Sequence, residues 1–235
     1  MTRRIRIGPS ACSIALEGTS IWAARDRAAE LVRVDRETGR LRRVKVAAWP
    51  FDVLVAAGSV WVTSYATGLV TRLDPRTGRR TFTAQVGENP AGLASCGGRV
   101  WIGHGRNASW LTSIHPRTLR VRRFRLEVIA PGRPQCVRGD LWVTTPDAVL
   151  RLDARTGRVL SQIELGETLA DIAAAPDGLV WVTDKQHSIV YRVDSTGRSI
   201  VDSFPAGPGA FALARAGDSM WVTSFAGADV RRYDP

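Results

Sequence analysis

The sequence predicts an all-β ring of six four-stranded antiparallel sheets, and three observations carry that prediction. Tryptophan recurs at Trp22, Trp61, Trp101, Trp142, Trp181 and Trp221, with separations of 39, 40, 41, 39 and 40 residues. Each of these tryptophans sits in a near-copy of one β-branched stretch: TSIWAAR, GSVWVTS, GRVWIGH, GDLWVTT, GLVWVTD and DSMWVTS. Each copy is followed by a second motif that ends in a turn: LVRVDRETGR, VTRLDPRTGR, LTSIHPRTLR, VLRLDARTGR, VYRVDSTGR and VRRYDP. A β-rich unit repeating about every 40 residues is too short to bury a core alone, so it must stack on its neighbours. Four short strands per unit, repeated around an axis, make a six-bladed β-propeller.

The second repeat shows the unit most plainly. Phe51–Ala56 is an apolar run and should be the innermost strand. After a Gly-containing turn, Val60–Thr63 is the second strand, β-branched and carrying the Trp. A polar loop leads to Val70–Asp74, which alternates as a third strand. Pro75-Arg-Thr-Gly78 is a turn, with Pro pre-setting φ and Gly free to take positive φ. Arg79–Val86 is the fourth strand. The aspartate before the turn, at Asp35, Asp74, Asp153, Asp194 and Asp234, is placed to accept backbone N–H groups, and His115 takes that position in the third repeat. The six repeat tryptophans share one strand position with apolar neighbours, so they are expected to fill the space between adjacent sheets.

The termini predict how the ring closes. The chain stops at the end of a third strand, and Thr2–Gly8 aligns with the fourth strand Thr81–Gly87. The N-terminal segment is therefore expected to supply the outer strand of the last blade, which makes residues 1–235 a single domain and removes an exposed edge.

Composition narrows the function classes. Net charge is +11, almost all of it arginine, with Lys45 and Lys185 the only lysines. The arginines gather on outer strands, as in Arg3, Arg4, Arg6, then Arg40, Arg42, Arg43, then Arg120, Arg122, Arg123, Arg125. Outer strands are sheet edges, where charge prevents edge-to-edge association. They lack the interleaved aromatics of a single-strand nucleic-acid binder, so the sequence reads against nucleic acid as the partner. No apolar run approaches the ~20 residues that span a bilayer. The basic N-terminus lacks an apolar signal core, so the chain as given reads as cytoplasmic, or as a domain cut from a longer or exported protein. Cys12, Cys96 and Cys136 have no metal-ligand spacing, and their odd number reads as small buried or half-buried thiols in a reducing compartment. The domain is expected to be a monomer.

Sites on such rings gather at one mouth of the central channel, on the loops entering first strands and leaving second strands. Alignment places Ser13, Asp52, Gly92, Gln135, Asp171 and Ala212 at one equivalent inner position. Cys12, Phe51, Ala91, Pro134, Ala170 and Phe211 precede them, and Arg25, Ser64, His104, Thr145, Asp184 and Ser224 follow the second strands. These positions vary while their neighbours repeat, the pattern of a common scaffold with an individual mouth. His104, Asp184 and Asp171 are the candidate catalytic groups, since an imidazole beside carboxylates can move protons near neutral pH. Arg25, Phe51, Asp52, Arg106, Asn107, Gln135, His187 and Phe211 are the candidate ligand-binding set. No metal ligands are assigned, although Mg²⁺ or Ca²⁺ at the mouth is left open. The sequence has no HExxH, GxSxG, CxxC or Walker-type loop.

The unit G-[SR]-V-W-[VI]-T followed by V-x-R-[LV]-D-P-x-T-G resembles that of the streptogramin (virginiamycin B) lyase-like propellers and the related YVTN- and NHL-type bacterial repeats. The resemblance covers the whole chain and implies the fold and, as one alternative, a C–O lyase. The lyases it resembles have seven blades and open a cyclic depsipeptide by Mg²⁺-assisted elimination. Their histidine lies in a P-H-[GA]-I motif and an acid follows in W-F-T-E. None of the six residues here at the histidine position is histidine, and only Asp184 is acidic at the acid position. Two functions are therefore expected: a propeller that binds a small molecule, peptide or partner at its mouth, or a metal-assisted lyase with altered site residues.

Overall fold

The computed structural model describes residues 5–235. Blade 1 comprises β1 (Ala11–Glu17), β2 (Ser20–Arg25), β3 (Glu30–Asp35) and β4 (Leu41–Lys45). Blade 2 comprises β5 (Pro50–Ala56), β6 (Ser59–Ser64), β7 (Leu69–Leu73) and β8 (Arg80–Gln85). Blade 3 holds β9 (Pro90–Cys96), β10 (Arg99–His104), β11 (Trp110–Ile114) and β12 (Val121–Arg125). Blade 4 holds β13 (Arg133–Val137), β14 (Asp140–Thr144), β15 (Ala148–Leu152) and β16 (Val159–Glu164). Blade 5 holds β17 (Leu169–Ala174), β18 (Val180–Asp184), β19 (Ile189–Val193) and β20 (Ile200–Pro205). Blade 6 holds β21 (Ala210–Ala216), β22 (Ser219–Ser224) and β23 (Asp229–Tyr233). Every sheet is an antiparallel meander of neighbours in sequence, as the six-bladed propeller requires. A single 3₁₀ turn, Asp26–Ala28, is the one helical feature among the described residues. No helix there is long and apolar enough to cross a membrane.

Among the described residues the core is five separate seams. In each, the Trp of one blade packs on the first two strands of the next. Trp22 meets Val53, Val60 and Val62, and Trp61 meets Leu93, Val100 and Ile102. Trp101 meets Leu141 and Val143, Trp142 meets Ile172, Val180 and Val182, and Trp181 meets Met220 and Val222. The residues flanking each Trp point to the opposite face, so one strand serves two seams. On the Trp face, the paired third-strand arginine crosses the ring: Arg33 Cζ lies 5.8 Å from the Trp22 centroid and Arg72 Cζ 5.6 Å from that of Trp61. Each of these arginines also donates to a serine that opens the second strand, Ser20 or Ser59. Blade 3 reverses the pair: Arg99 stands on the second strand and donates to Ser113 on the third. Many of the arginines behind the net charge are therefore consumed by the repeat itself.

Asp35, Asp74, Asp153 and Asp194 behave as their position predicts, whereas Asp234 accepts from the Ser219 hydroxyl and the Arg232 guanidinium and from no turn amide among the described residues. Asp35, Asp74 and Asp153 each accept from the backbone amides two and three residues on and from a threonine hydroxyl. His115 substitutes by accepting from Arg117 N and Thr118 N through Nδ1.

Two further features differ from expectation. Cys96 and Cys136 form a disulfide between the innermost strands of blades 3 and 4, and Cys12 is the free cysteine. The sequence reading took all three as thiols. The two half-cystines lie 40 residues apart, one repeat period, which sets them on facing strands of adjacent blades. The second difference concerns closure. Residues 1–4 lie outside the described residues, and with them the first three of the seven residues of the expected Thr2–Gly8 strand. Ile5–Gly8 are not strand; they run beside blade 1, where Arg43 Nη2 donates to Ile7 O at 3.4 Å and Arg25 Nε donates to Pro9 O at 3.0 Å. Arg123 makes the corresponding bond to Val86 O at 3.2 Å. The segment thus occupies the place where a fourth strand ends against the following blade, while blade 6 shows three strands among the described residues.

Truncating a fully buried seam tryptophan, Trp61→Ala, should cost about 3–5 kcal/mol in chemical denaturation. Trp221→Ala, at a half-exposed copy of the same position, should cost less than half of that. Equal losses would contradict the seam assignment. Reducing the Cys96–Cys136 bridge should lower stability by roughly 2–4 kcal/mol. Denaturation curves unchanged by reductant would show that the bridge does not form.

Candidate functional site

The mouth is defined by strand register. The start of each first strand pairs with the end of the second, as in Leu169↔Asp184, and the third strand begins there too, as in Asp184↔Ile189. The ends of fourth strands fall at the same level, as in Ala148↔Glu164. The predicted residues therefore do share one end of the ring, but they divide into three environments.

The first is the axis. Asp52 Oδ1 accepts from Ser13 Oγ of blade 1 at 2.6 Å and from Val53 N at 2.9 Å, and its Oδ2 accepts from Leu93 N of blade 3 at 2.8 Å. Asp171 repeats the device one half-turn on: Oδ1 accepts from Ile172 N at 3.0 Å and Oδ2 from Leu213 N of blade 6 at 2.9 Å. Behind each, a threonine holds the aspartate's own amide and donates onward to the next blade: Thr63 Oγ1 to Ala91 O at 2.8 Å, and Thr183 Oγ1 to Phe211 O at 2.6 Å. Burial raises both carboxyls above the ordinary range, and the hydrogen bonds and the Arg133 charge only partly oppose it. Arg133 stands near both and lies 5.7 Å from the Phe51 ring centroid. Asp52 and Asp171 are thus ties between blades. Gln135 sits half-buried on the same inner ring, in β13.

The second environment is the interior. His104 is fully buried. Its Nδ1 bonds Glu88 O at 2.9 Å and its Nε2 bonds Thr112 Oγ1 at 3.0 Å, so both ring nitrogens are occupied within the protein. Burial drives its pKa down to about 4, which keeps the ring neutral. A neutral ring satisfies both partners if Nδ1–H donates to the carbonyl and the threonine hydroxyl donates to Nε2. Arg25 is likewise engaged, paired with Glu30 and bonded to Pro9 O. Phe211 packs on Phe225 at 5.8 Å between ring centroids. Arg106 and Asn107 belong to none of the three environments: both are exposed, with Arg106 on the wall of a separate cleft of about 320 Å³ between blades 2 and 3.

The third environment is a cleft of about 500 Å³ between blades 4 and 5, lined by Asp147, Glu164, Leu165, Gly166, Glu167, His187, Ile189 and Tyr191. Asp184 is buried at its back. His187 N donates to Asp184 Oδ1 at 3.0 Å and His187 Nδ1 donates to Asp184 Oδ2 at 2.9 Å. Burial alone would raise Asp184, but these two bonds and the imidazole charge outweigh it and hold the carboxyl below its ordinary value. The same hydrogen bond and charge raise His187. Burial, then the Asp184 charge, raises the Tyr191 phenol. Gly166 is required here, because a Cβ would fall on Asp184 Oδ2. The DKQH sequence thus makes a buried-acid, half-exposed-base pair. Asp147, Glu164, Glu167 and Tyr191 were not singled out in the sequence. Their one signal is that β16 ends in glutamate while the fourth strands of blades 1 and 3 end in lysine or arginine. Among the described residues no three His, Cys, Asp or Glu side chains converge as a metal ion would need.

The fold and its mouth define a six-bladed propeller with an acid-lined cleft. Its likeness to solved structures is wide. A catalytically inactive virginiamycin B lyase from Staphylococcus aureus, crystallised with quinupristin, superposes with a TM-score of 0.84 at 16% identity, over 95% of this chain and 80% of that one. Hydrazine synthase from Kuenenia stuttgartiensis matches at 0.70 and 13%, over 100% of this chain and 98% of that one. BamB from Moraxella catarrhalis matches at 0.71 and 16%, over 93% and 67%. At such identities the likeness shows the propeller fold. No protein-family model matches the chain. No curated protein matches it either.

His104 predicts a signed pH effect. Its folded pKa of about 4 lies below the unfolded value near 6.5, so the unfolded chain binds the proton first. This side chain's contribution is complete above pH ~6.5 and declines towards pH ~4, by up to roughly 3 kcal/mol. Asp52 and Asp171, with raised values, slope the other way, so the readout is a difference. The stability advantage of the unmodified protein over His104→Gln should shrink by most of that amount between pH 7 and pH 4.5. A difference that pH leaves untouched would refute a buried neutral ring.

Proposed function

We propose that this chain is a ligand-binding propeller whose site is the cleft between blades 4 and 5, and that it receives a small molecule or peptide bearing a positive charge. The observation that carries the reading is the Asp184–His187 pair in the cleft wall. A half-exposed ring held by a fully buried carboxylate is fixed in one tautomer, with Nε2 left for a ligand. The three carboxylates of Asp147, Glu164 and Glu167 around it are a local reversal of sign in a chain of net charge +11. That reversal favours an ammonium or guanidinium group and turns anions away. The Cys96–Cys136 bridge favours an oxidising compartment over the cytoplasm.

The same pair supports a second reading, a lyase in which His187 removes the proton and Asp184 orients and stabilises the resulting imidazolium. The Mg²⁺ that the family resemblance implies finds no converging donor set among the described residues, so no step is assigned to it.

Titration calorimetry with tri-arginine and tri-glutamate separates the outcomes. Tri-arginine should bind and tri-glutamate should not. Glu164→Gln with Glu167→Gln should weaken tri-arginine about tenfold or more, the size expected for lost charge-assisted hydrogen bonds. Equal binding of the two peptides would reject the cleft as a cation site. The lyase reading is tested by ring opening of quinupristin, followed by chromatography with fragmentation mass spectrometry, because elimination within the ring gives a linear isomer of unchanged mass whereas hydrolysis adds a water. A rate rising with pH through a value above the ordinary histidine range, and shifted lower by Asp184→Asn, would support it. No ring opening would leave binding as the function.

A further inference from the structure

One side chain of the inner ring has its hydrogen bonding unfinished. Counted from each repeat Trp, strand register puts Arg133 level with Asp52 and Asp171: Pro134 pairs with Val143, as Val53 pairs with Val62 and Ile172 with Val182. The first strands of blades 2 and 5 reach that level through a register shift, whereas β13 runs straight, so Gln135 falls two residues further on, opposite Trp142. A cation therefore stands in blade 4 where two other blades place a carboxylate tie. Arg133 is half-buried. Arg25, Arg33, Arg72, Arg99, Arg151 and Arg192, the other arginines not exposed among the described residues, each donate to a neighbouring carboxylate or hydroxyl. The Arg133 guanidinium donates to nothing among the described residues; it lies 5.7 Å from the Phe51 ring centroid. Its charge reaches Asp52 and Asp171, yet their oxygens are spent on Ser13, Val53 and Leu93 and on Ile172 and Leu213. The planar fork of donors is left open.

Arg133 lines a cavity of about 200 Å³ between blades 4 and 5, whose other walls include Ala130, Pro146, Leu169 and Ala170. Thr144 lines it too and holds the strand place of Thr63 and Thr183, whose hydroxyls donate onward to the next blade. The Thr144 hydroxyl makes no such bond among the described residues. The remaining hydroxyls of the wall are engaged, Thr145 with Asp147 and Thr168 with Gln186. Lys185 brings a second cation to the rim: its amide donates to Thr168 O at 3.0 Å, and its Nζ lies 5.6 Å from the Phe211 ring centroid. We propose that this cavity binds a small monocarboxylate, its two oxygens on the Arg133 fork and the Thr144 hydroxyl and its apolar body against Pro146, Leu169 and Ala170. The guanidinium fork matches a carboxylate in two parallel bonds. A cavity of about 150 Å³ takes a benzene ring, so this one holds an aryl or branched-alkyl body. A single negative charge is required, because Asp52 and Asp171 stand near the same guanidinium and repel a dianion. The same repulsion and the small volume exclude tri-glutamate. The site does not rest on the acid-lined cleft, which lies on the other side of the connections around Pro146 and Thr168.

Titration calorimetry with benzoate, and with benzamide as its uncharged match, tests the site. Benzoate should bind at one site per chain, and benzamide about tenfold or more weakly, the size of a lost charge-assisted bond. Inorganic phosphate should not displace benzoate. Arg133→Gln should weaken benzoate by about tenfold or more, and Thr144→Val by a smaller factor, with denaturation curves showing that each variant folds. Where Arg133→Gln does not fold, Arg133→Lys replaces it; it keeps the charge and loses the fork, so benzoate should weaken while its preference over benzamide remains. No binding of benzoate, equal binding of benzoate and benzamide, or binding indifferent to the change at Arg133 would overturn the proposal. Loss of stability in Arg133→Gln without loss of benzoate would overturn it as well, since that is the behaviour of a counter-charge for Asp52 and Asp171 alone. Phosphate bound as tightly as benzoate would overturn the choice of a monocarboxylate. Tri-arginine reads the acid-lined cleft separately, so the failure of one site is distinguishable from the failure of the other.

Discussion

The structure depends on one constraint: a blade cannot cover its own two faces. Each sheet is a flat layer with apolar residues on both sides, and only the neighbours can exclude water from them. The Trp in the second strand answers this constraint on one face, and the β-branched residues beside it answer it on the other. Because side chains alternate along a strand, placing Trp on one face forces its neighbours to the other. The burial of five tryptophans in the seams, with their strand neighbours in the seam before, follows from that alternation.

Polar groups at the axis solve a second problem created by the first. Innermost strands converge where there is little room for large side chains, and their amides need partners. Asp52 and Asp171 reach from one blade to the backbone of the next, and Thr63 and Thr183 carry the bonding onward. These residues vary between blades, as functional residues do, yet their oxygens are consumed in holding blades together. Variation within a repeat therefore has two causes. One is chemistry directed at a ligand. The other is that a ring of unequal loops requires unequal ties, as the reversed Arg99–Ser113 pair of blade 3 also shows.

The parts legible in the sequence were those governed by local rules. Strand alternation, the turn aspartates and the position of Trp repeat six times, so each copy confirms the others. The parts that were not legible rest on contacts between repeats. Cys96 and Cys136 were readable in principle, since a separation of one period places them side by side, but an odd cysteine count argued the other way. His104 lies in the longest mouth loop and had the profile of a general base. Its burial depends on Glu88 and Thr112, which no spacing rule connects to it. His187 and Asp184 were visible as a weak pair, and their surroundings were not. The acids facing them are Asp147 just before β15, Glu164 at the end of β16 and Glu167 in the connection to blade 5, so the cleft is a product of the seam and not of either repeat.

That origin bears on what the cleft can do. Asp184 is held by blade 5 alone, through a tight local loop, so the geometry of the His187 ring survives small movements between blades. The carboxylates of Asp147 and Glu164 ride on blade 4, so their distance from His187 follows the angle between the two sheets, whereas Glu167 lies in the connection between the blades and accepts from Gln186 Nε2 of blade 5 at 3.0 Å. Trp142 sets that angle by packing on Ile172, Val180 and Val182. In the proposed site the Asp184–His187 pair on one wall would fix the charged group of a ligand against the carboxylates opposite. In the proposed site, specificity would come from the charge and from the close approach of Gly166 to Asp184. Both are single-residue properties, free to differ from blade to blade on a scaffold that does not.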